Sequence, residues 1–185
     1  MSILLLSLAL LLPSLALAQS SPTSAPAPVA PATSATSAAI ALLSPEQVAK
    51  LLPPSVYFRG QTAPLQLRNA AAARFPDGAI LFASLVDTSG YSTSVRERYQ
   101  FYFVTEAPLT VGDKTLAPGA YGAGFLEDGA FVVMDIGGHD VLLSRIERDD
   151  GLHRPRPLQL EAGTTPQELR LYLGRSFVTL TRVPR

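Results

Sequence analysis

From Val56 to Val183 the chain repeats one pattern. Short runs rich in Val, Leu, Phe, Tyr and Thr are each closed by a turn signal. Those signals are Pro76-Asp77-Gly78, Gly112-Asp113, Glu127-Asp128-Gly129, Gly137-Gly138, Asp149-Asp150-Gly151 and Gly174-Arg175. Glycine and aspartate end strands because they supply the backbone angles and local hydrogen bonds of a tight turn. No segment with a helical apolar repeat separates the runs, which argues against parallel strands joined by crossover helices. About ten short strands result. The expected fold class is all-β: an antiparallel β-sandwich or a closed barrel. Ser94–Thr105 reads as a half-buried strand, with Val95, Glu97, Tyr99, Phe101 and Phe103 on one face and Arg96, Arg98, Gln100 and Tyr102 on the other.

One short N-terminal helix precedes the strands. Ser44 suits the N-cap, Pro45 suits the first helical position, and Gln47 completes a capping box. Pro53-Pro54 stops the helix after two turns. The expected role is a packing element that covers a sheet edge.

Charge marks the main boundary. The first 45 residues carry no ionisable side chain, whereas all 30 charges lie in the remaining 140. Residues 3–18, ILLLSLALLLPSLALA, are apolar, too short to span a bilayer comfortably, and end in Ala16-Leu17-Ala18. This is the pattern of a signal peptide over residues 1–18, cleaved after Ala18. The n-region, Met1-Ser2, lacks the usual Lys or Arg, which leaves an uncleaved leader as the one route to a membrane. Residues 19–43 follow as an Ala/Pro/Ser/Thr-rich linker without the apolar bulk to offset its ordering entropy. Its prolines at 22, 26, 28 and 31 favour extended polyproline II segments. A single β-domain, residues 44–185, completes the chain. An exported protein, periplasmic or extracellular, is expected.

Composition removes several functions. Basic and acidic residues balance at 15 each, so there is no electrostatic footprint for nucleic acid. There is no cysteine, so thiol catalysis, iron–sulfur ligation and thiolate zinc sites are excluded, and the domain holds together by packing alone.

The segment Val111–Gly138, VGDKTLAPGAYGAGFLEDGAFVVMDIGG, resembles exported β-domains of environmental bacteria that pair a signal peptide with a Leu-x-Pro-Gly-x-Tyr hairpin. Leu116, Pro118, Gly119 and Tyr121 carry the likeness. It implies an exported β-domain and brings no functional residues with it.

Both histidines fall between Met134 and Arg156. Asp135, His139, Asp140 and His153 have the donor chemistry of a divalent metal site. Their spacing contains neither HExxH nor HxH. The competing expectation is that Asp135, His139 and Asp140 cap a turn and His153 lies in a surface connection. Serine hydrolysis lacks its GxSxG elbow. The pairs Glu127-Asp128 and Asp149-Asp150 sit beside glycine as turn residues do. Arg154 and Arg156 in HRPRP offer a grip for an anion or a peptide. Tyr91, in the loop DTSGYST, is the one tyrosine expected to be exposed for ligand contact.

The expectation is therefore an exported non-catalytic β-domain that binds an envelope protein or glycan, without a cofactor. One alternative is a small secreted metal-dependent or hydrolytic enzyme using His139 and His153. The other is a barrel holding an apolar ligand.

Overall fold

The computed structural model describes residues 39–184. The expected signal peptide, and the expected linker as far as residue 38, lie outside the described residues. All strand pairing is antiparallel and forms two sheets. The first orders β1 (Ala41–Leu42), β3 (Gln61–Arg74), β4 (Ile80–Val86), β5 (Phe101–Thr105), β8 (Gly119–Phe125), β9 (Ala130–Met134) and β10 (Asp140–Arg145), with β2 (Ser55–Phe58) paired to β3. The second orders β12 (Leu158–Ala162), β13 (Glu168–Leu173), β14 (Ser176–Arg182), β6 (Leu109–Val111) and β7 (Lys114–Leu116), with β11 (Glu147–Arg148) paired to β14. The fold is an all-β sandwich. The barrel alternative falls, because the two sheets remain separate.

Leu81, Phe101, Phe103, Phe131 and Val133 of the first sheet meet Leu109, Leu169, Leu171, Val178 and Leu180 of the second in one core. A second core lies on the other face of the first sheet, built from Phe58, Val86, Tyr91, Tyr99, Val132 and Met134. The strand β9 shows why both exist. Its residues alternate between the two cores, and Phe131 to Met134 are all buried. A strand buried on both faces reads as a continuous apolar run and needs cover on each side. The second sheet supplies one cover. The β2–β3 hairpin, α1 (Pro45–Leu51) and the loop around Tyr91 supply the other.

The helix α1 forms as its sequence dictates. Ser44 and Gln47 make a reciprocal capping box, and Val48 is the residue it buries. It packs against β3 and the second core. A charged pair ties the two sheets together: Arg182 at the end of β14 reaches Asp77, in the β3–β4 turn, at 2.6 Å. The same guanidinium lies 5.7 Å from the centroid of the Phe75 ring.

Three expectations are corrected. Ser94–Thr105 is not one strand. Residues Thr93–Arg96 form a helical turn, α2, and pairing starts only at Phe101. At Gln100 the backbone still bonds Ala123 O and Val86 N, while its side chain accepts from Phe125 N and donates to Phe125 O, each at 2.9 Å, in place of a further strand residue. Tyr99 consequently enters the outer core while Phe101 and Phe103 enter the inner one. Next, Leu116 to Tyr121 is no hairpin. It is a corner at which the chain leaves β7 in the second sheet for β8 in the first. The Tyr121 hydroxyl donates back to Ala117 O at 3.0 Å and fixes that corner. Last, Ala41 and Leu42, assigned to the linker by sequence, pair with Ala73 and Arg74 of β3.

Two tyrosines of the outer core make opposite predictions. The Tyr91 hydroxyl donates to Phe58 O at 2.9 Å and also lies 3.3 Å from Gln61 O. The Tyr99 hydroxyl is buried without a partner among the described residues. Tyr91→Phe should cost about 1 kcal/mol, the net worth of one buried hydrogen bond. Tyr99→Phe should be neutral or stabilising, since it removes an unsatisfied group. Urea unfolding of the two variants checks this, and a larger loss for Tyr99→Phe would contradict it.

Candidate functional site

The β2–β3 hairpin closes on Arg59 and Gly60, whose φ angles are 47° and 83°. Two successive positive φ values make the tight turn that matches strand twist. Arginine is a costly residue for the first position, because its Cβ crowds the backbone there. Its surroundings hold it. Arg59 N donates to Ile136 O at 3.0 Å. Its side chain lies along Gly138, where a Cβ would sit 2.5 Å from Arg59 Cδ. The Tyr91 hydroxyl ties the other side of the hairpin at Phe58 O. Strand alternation in β2 then sends Val56 and Phe58 inward and leaves Tyr57 56% exposed.

Facing the hairpin is the β9–β10 turn. The Asp135 carboxylate accepts from His139 N at 2.9 Å and contacts the His139 ring Nδ1 at 3.0 Å. Gly138 N donates to Asp135 O at 2.9 Å. This closed turn presents Ile136, which is 59% exposed. Between the two walls lies a groove of about 250 Å³ lined by Tyr57, Phe58, Tyr102, Ala120, Gly122 and Ile136, among others. Tyr102 stands opposite Gly122 in the β5–β8 ladder, so no side chain covers it from that position. Gly122 is required for a second reason. A Cβ there would lie 2.6 Å from Phe58 and 2.8 Å from Tyr99, whose stacked rings are 3.9 Å apart at their centroids.

The groove carries no charged side chain. Its polar side-chain atoms are phenolic hydroxyls. Those of Tyr57 and Tyr102 make no hydrogen bond among the described residues. Burial pushes the Tyr102 phenol above its ordinary value, so it keeps its proton and can donate.

The residues expected to form a site are distributed otherwise. Tyr91, expected in contact with solvent, is 7% exposed, because it anchors the hairpin. Asp135 and His139 meet as turn partners. Asp140 is drawn away by Arg98, at 2.5 Å. His153 belongs to the connection between β11 and β12 of the other sheet. Among the described residues no three His, Asp or Glu side chains are placed to hold a metal ion. Arg154 is exposed. Arg156 donates to the Gln159 side chain at 3.1 Å.

A larger open cleft of about 750 Å³ lies beside α2, lined by Arg96, Glu97, Arg98, Gln100, Glu127 and Asp128 among others. Its charges are mixed in sign. Arg98 is engaged by Asp140 and Gln100 by the Phe125 backbone. The groove is therefore the better candidate. Sequence reasoning missed Tyr57 because Arg59-Gly60 was not read as a two-residue turn. That turn sets the register that points Tyr57 outward.

The turn that presents Ile136 should respond to acid. Hydrogen bonds, chiefly from the His139 backbone, hold the Asp135 carboxyl below its ordinary value of 3.8. A lowered pKa in the folded state means the stabilisation is complete above the unfolded value and is lost as pH falls through the folded one. The amide resonances of Ile136 and His139 should therefore shift with a midpoint below 3.8. A midpoint at or above that value would show that the carboxylate does not clamp the turn. Comparison of the chain with family models, characterised proteins and solved structures finds no match.

Proposed function

We propose that this chain is an exported, non-catalytic binding domain of the bacterial cell envelope, and that its contact surface is the groove of Tyr57, Tyr102 and Ile136. The observation that carries the proposal is the pairing of two large apolar side chains, Tyr57 and Ile136, at 56% and 59% exposure on opposite walls of a groove. Exposed apolar groups gathered at a concave site mark contact surfaces, whereas scattered ones do not. Export is supported by the signal peptide pattern at residues 1–18, and reach by the proline-rich linker. The strand β1 is one edge of its sheet, and the groove lies over β5 and β8, away from that edge.

Tyr57→Ala combined with Ile136→Ser tests this. Both side chains are exposed, so stability should change little, by about 0.5 kcal/mol each. Retention of the purified protein on isolated envelope fractions should fall by roughly tenfold, as expected when central anchors are truncated. Unchanged retention at unchanged stability would remove the groove from the function.

A further inference from the structure

We infer that the occupant of this groove is an uncharged proline-rich polypeptide segment in the polyproline II conformation. The inference rests on the groove being a binding surface, and it names the ligand class.

The first argument is size. A groove of about 250 Å³ is smaller than the cavities that enclose whole organic ligands. It has room for a ring or two of a longer chain that continues past its ends. Its walls are aromatic and aliphatic: Tyr57, Phe58 and Tyr102 against Ile136. Aromatic-lined grooves of this kind take the rigid rungs of a polyproline helix.

The second argument counts donors and acceptors. The lining offers phenolic hydroxyls and no carboxylate, side-chain amide or guanidinium. A sugar would bring several hydroxyls, each costing about 1–3 kcal/mol if buried unpaired. A proline residue has a carbonyl acceptor and no N–H. A proline-rich segment thus brings acceptors to the free Tyr57 and Tyr102 hydroxyls, and each proline that enters the groove adds no donor that the lining would have to satisfy. The absence of charge in the lining favours a segment that is itself uncharged, because a buried charge without a partner is costly.

The third argument is preorganisation on both sides. The polyproline helix loses little entropy on binding, since its backbone is already extended. The two walls of the groove are joined by the bond from Arg59 N to Ile136 O, and the hairpin is pinned by Tyr91. This chain supplies an example of the ligand class. Residues 22–33 read PTSAPAPVAPAT, carry no charge, and contain the Pro28-Val29-Ala30-Pro31 spacing. Three residues per turn put those two prolines on one side of the helix.

The probe is a synthetic peptide of that sequence. The receptor is the full chain carrying Pro26→Ala, Pro28→Ala and Pro31→Ala, so that its own prolines do not compete. Titration is followed by backbone amide resonances. Saturable shifts at Tyr57, Tyr102, Gly122 and Ile136 are expected. Tyr57→Ala should weaken binding by roughly tenfold, and Tyr102→Phe by a few-fold through its lost hydroxyl. The peptide with all four prolines replaced by alanine should not saturate. Equal shifts with the alanine peptide, or none with the proline peptide, would overturn the inference. Shifts at the same residues with neutral cell-wall oligosaccharides alone would overturn it too, yet leave the groove as the contact surface of an envelope-binding domain. Failure of envelope retention to depend on Tyr57 and Ile136 is the separate result that removes the binding function itself.

Discussion

Val132 and Val133 are neighbours in β9, point to opposite faces of one sheet, and are both fully buried. That two-sided burial is the constraint on which the rest of the structure depends. A sheet in a simple sandwich needs one cover and leaves its outer face to water. Here the sequence Ala130-Phe131-Val132-Val133-Met134 allows no wet face. The second sheet covers the inner side. The remaining chain, α1, the β2–β3 hairpin and the loop through Tyr91 and Tyr99, is used to cover the outer side. Without disulfides, the domain has no other means of fixing these pieces than packing and hydrogen bonds.

The outer cover closes by way of one glycine. Gly122 lets the Phe58 and Tyr99 rings descend onto β8, and Tyr91 meets both of them edge-on. Such stacked and edge-to-face pairs add about 0.5–1.5 kcal/mol each beyond their buried area. The same glycine leaves Tyr102 without a cross-strand neighbour on that side. The packing solution and the groove are thus two results of one missing side chain. Tyr57 follows from it, because a hairpin that buries Val56 and Phe58 in this cover must turn the residue between them outward.

Much of the fold was legible in the sequence. The glycine and aspartate turns, the capping box at Ser44 and the lack of helical periods specify an antiparallel β-domain by local chemistry alone. What was not legible depends on contacts distant in sequence. Alternation across Ser94–Thr105 suggested one strand, because nothing local reveals that Thr93–Arg96 turns helical and that the Gln100 side chain takes up the Phe125 backbone. Choosing between sandwich and barrel required knowing that the chain changes sheet at Leu116 to Tyr121. Tyr91 looked like an exposed loop residue, since its partners Phe58 and Gln61 are about thirty positions away. The site suffered most. Arg59-Gly60 lacks the asparagine or aspartate that usually announces such a turn, so the outward register of Tyr57 was hidden.

Several charged residues share one kind of work. Asp135 closes the turn at His139, Arg98 reaches across to Asp140, and Asp77 joins Arg182 between the sheets. Each fixes a connection that packing alone leaves loose, and each is consumed in doing so. Exposed ion pairs contribute little to stability, about 0–1 kcal/mol, so the value of the first two lies in geometry. They set where Ile136 and the loop before β5 stand. The lining of the groove itself carries no charged side chain. The recognition proposed for it rests on shape, aromatic contact and the two free hydroxyls, and a partner that offers rings and carbonyl acceptors answers all three.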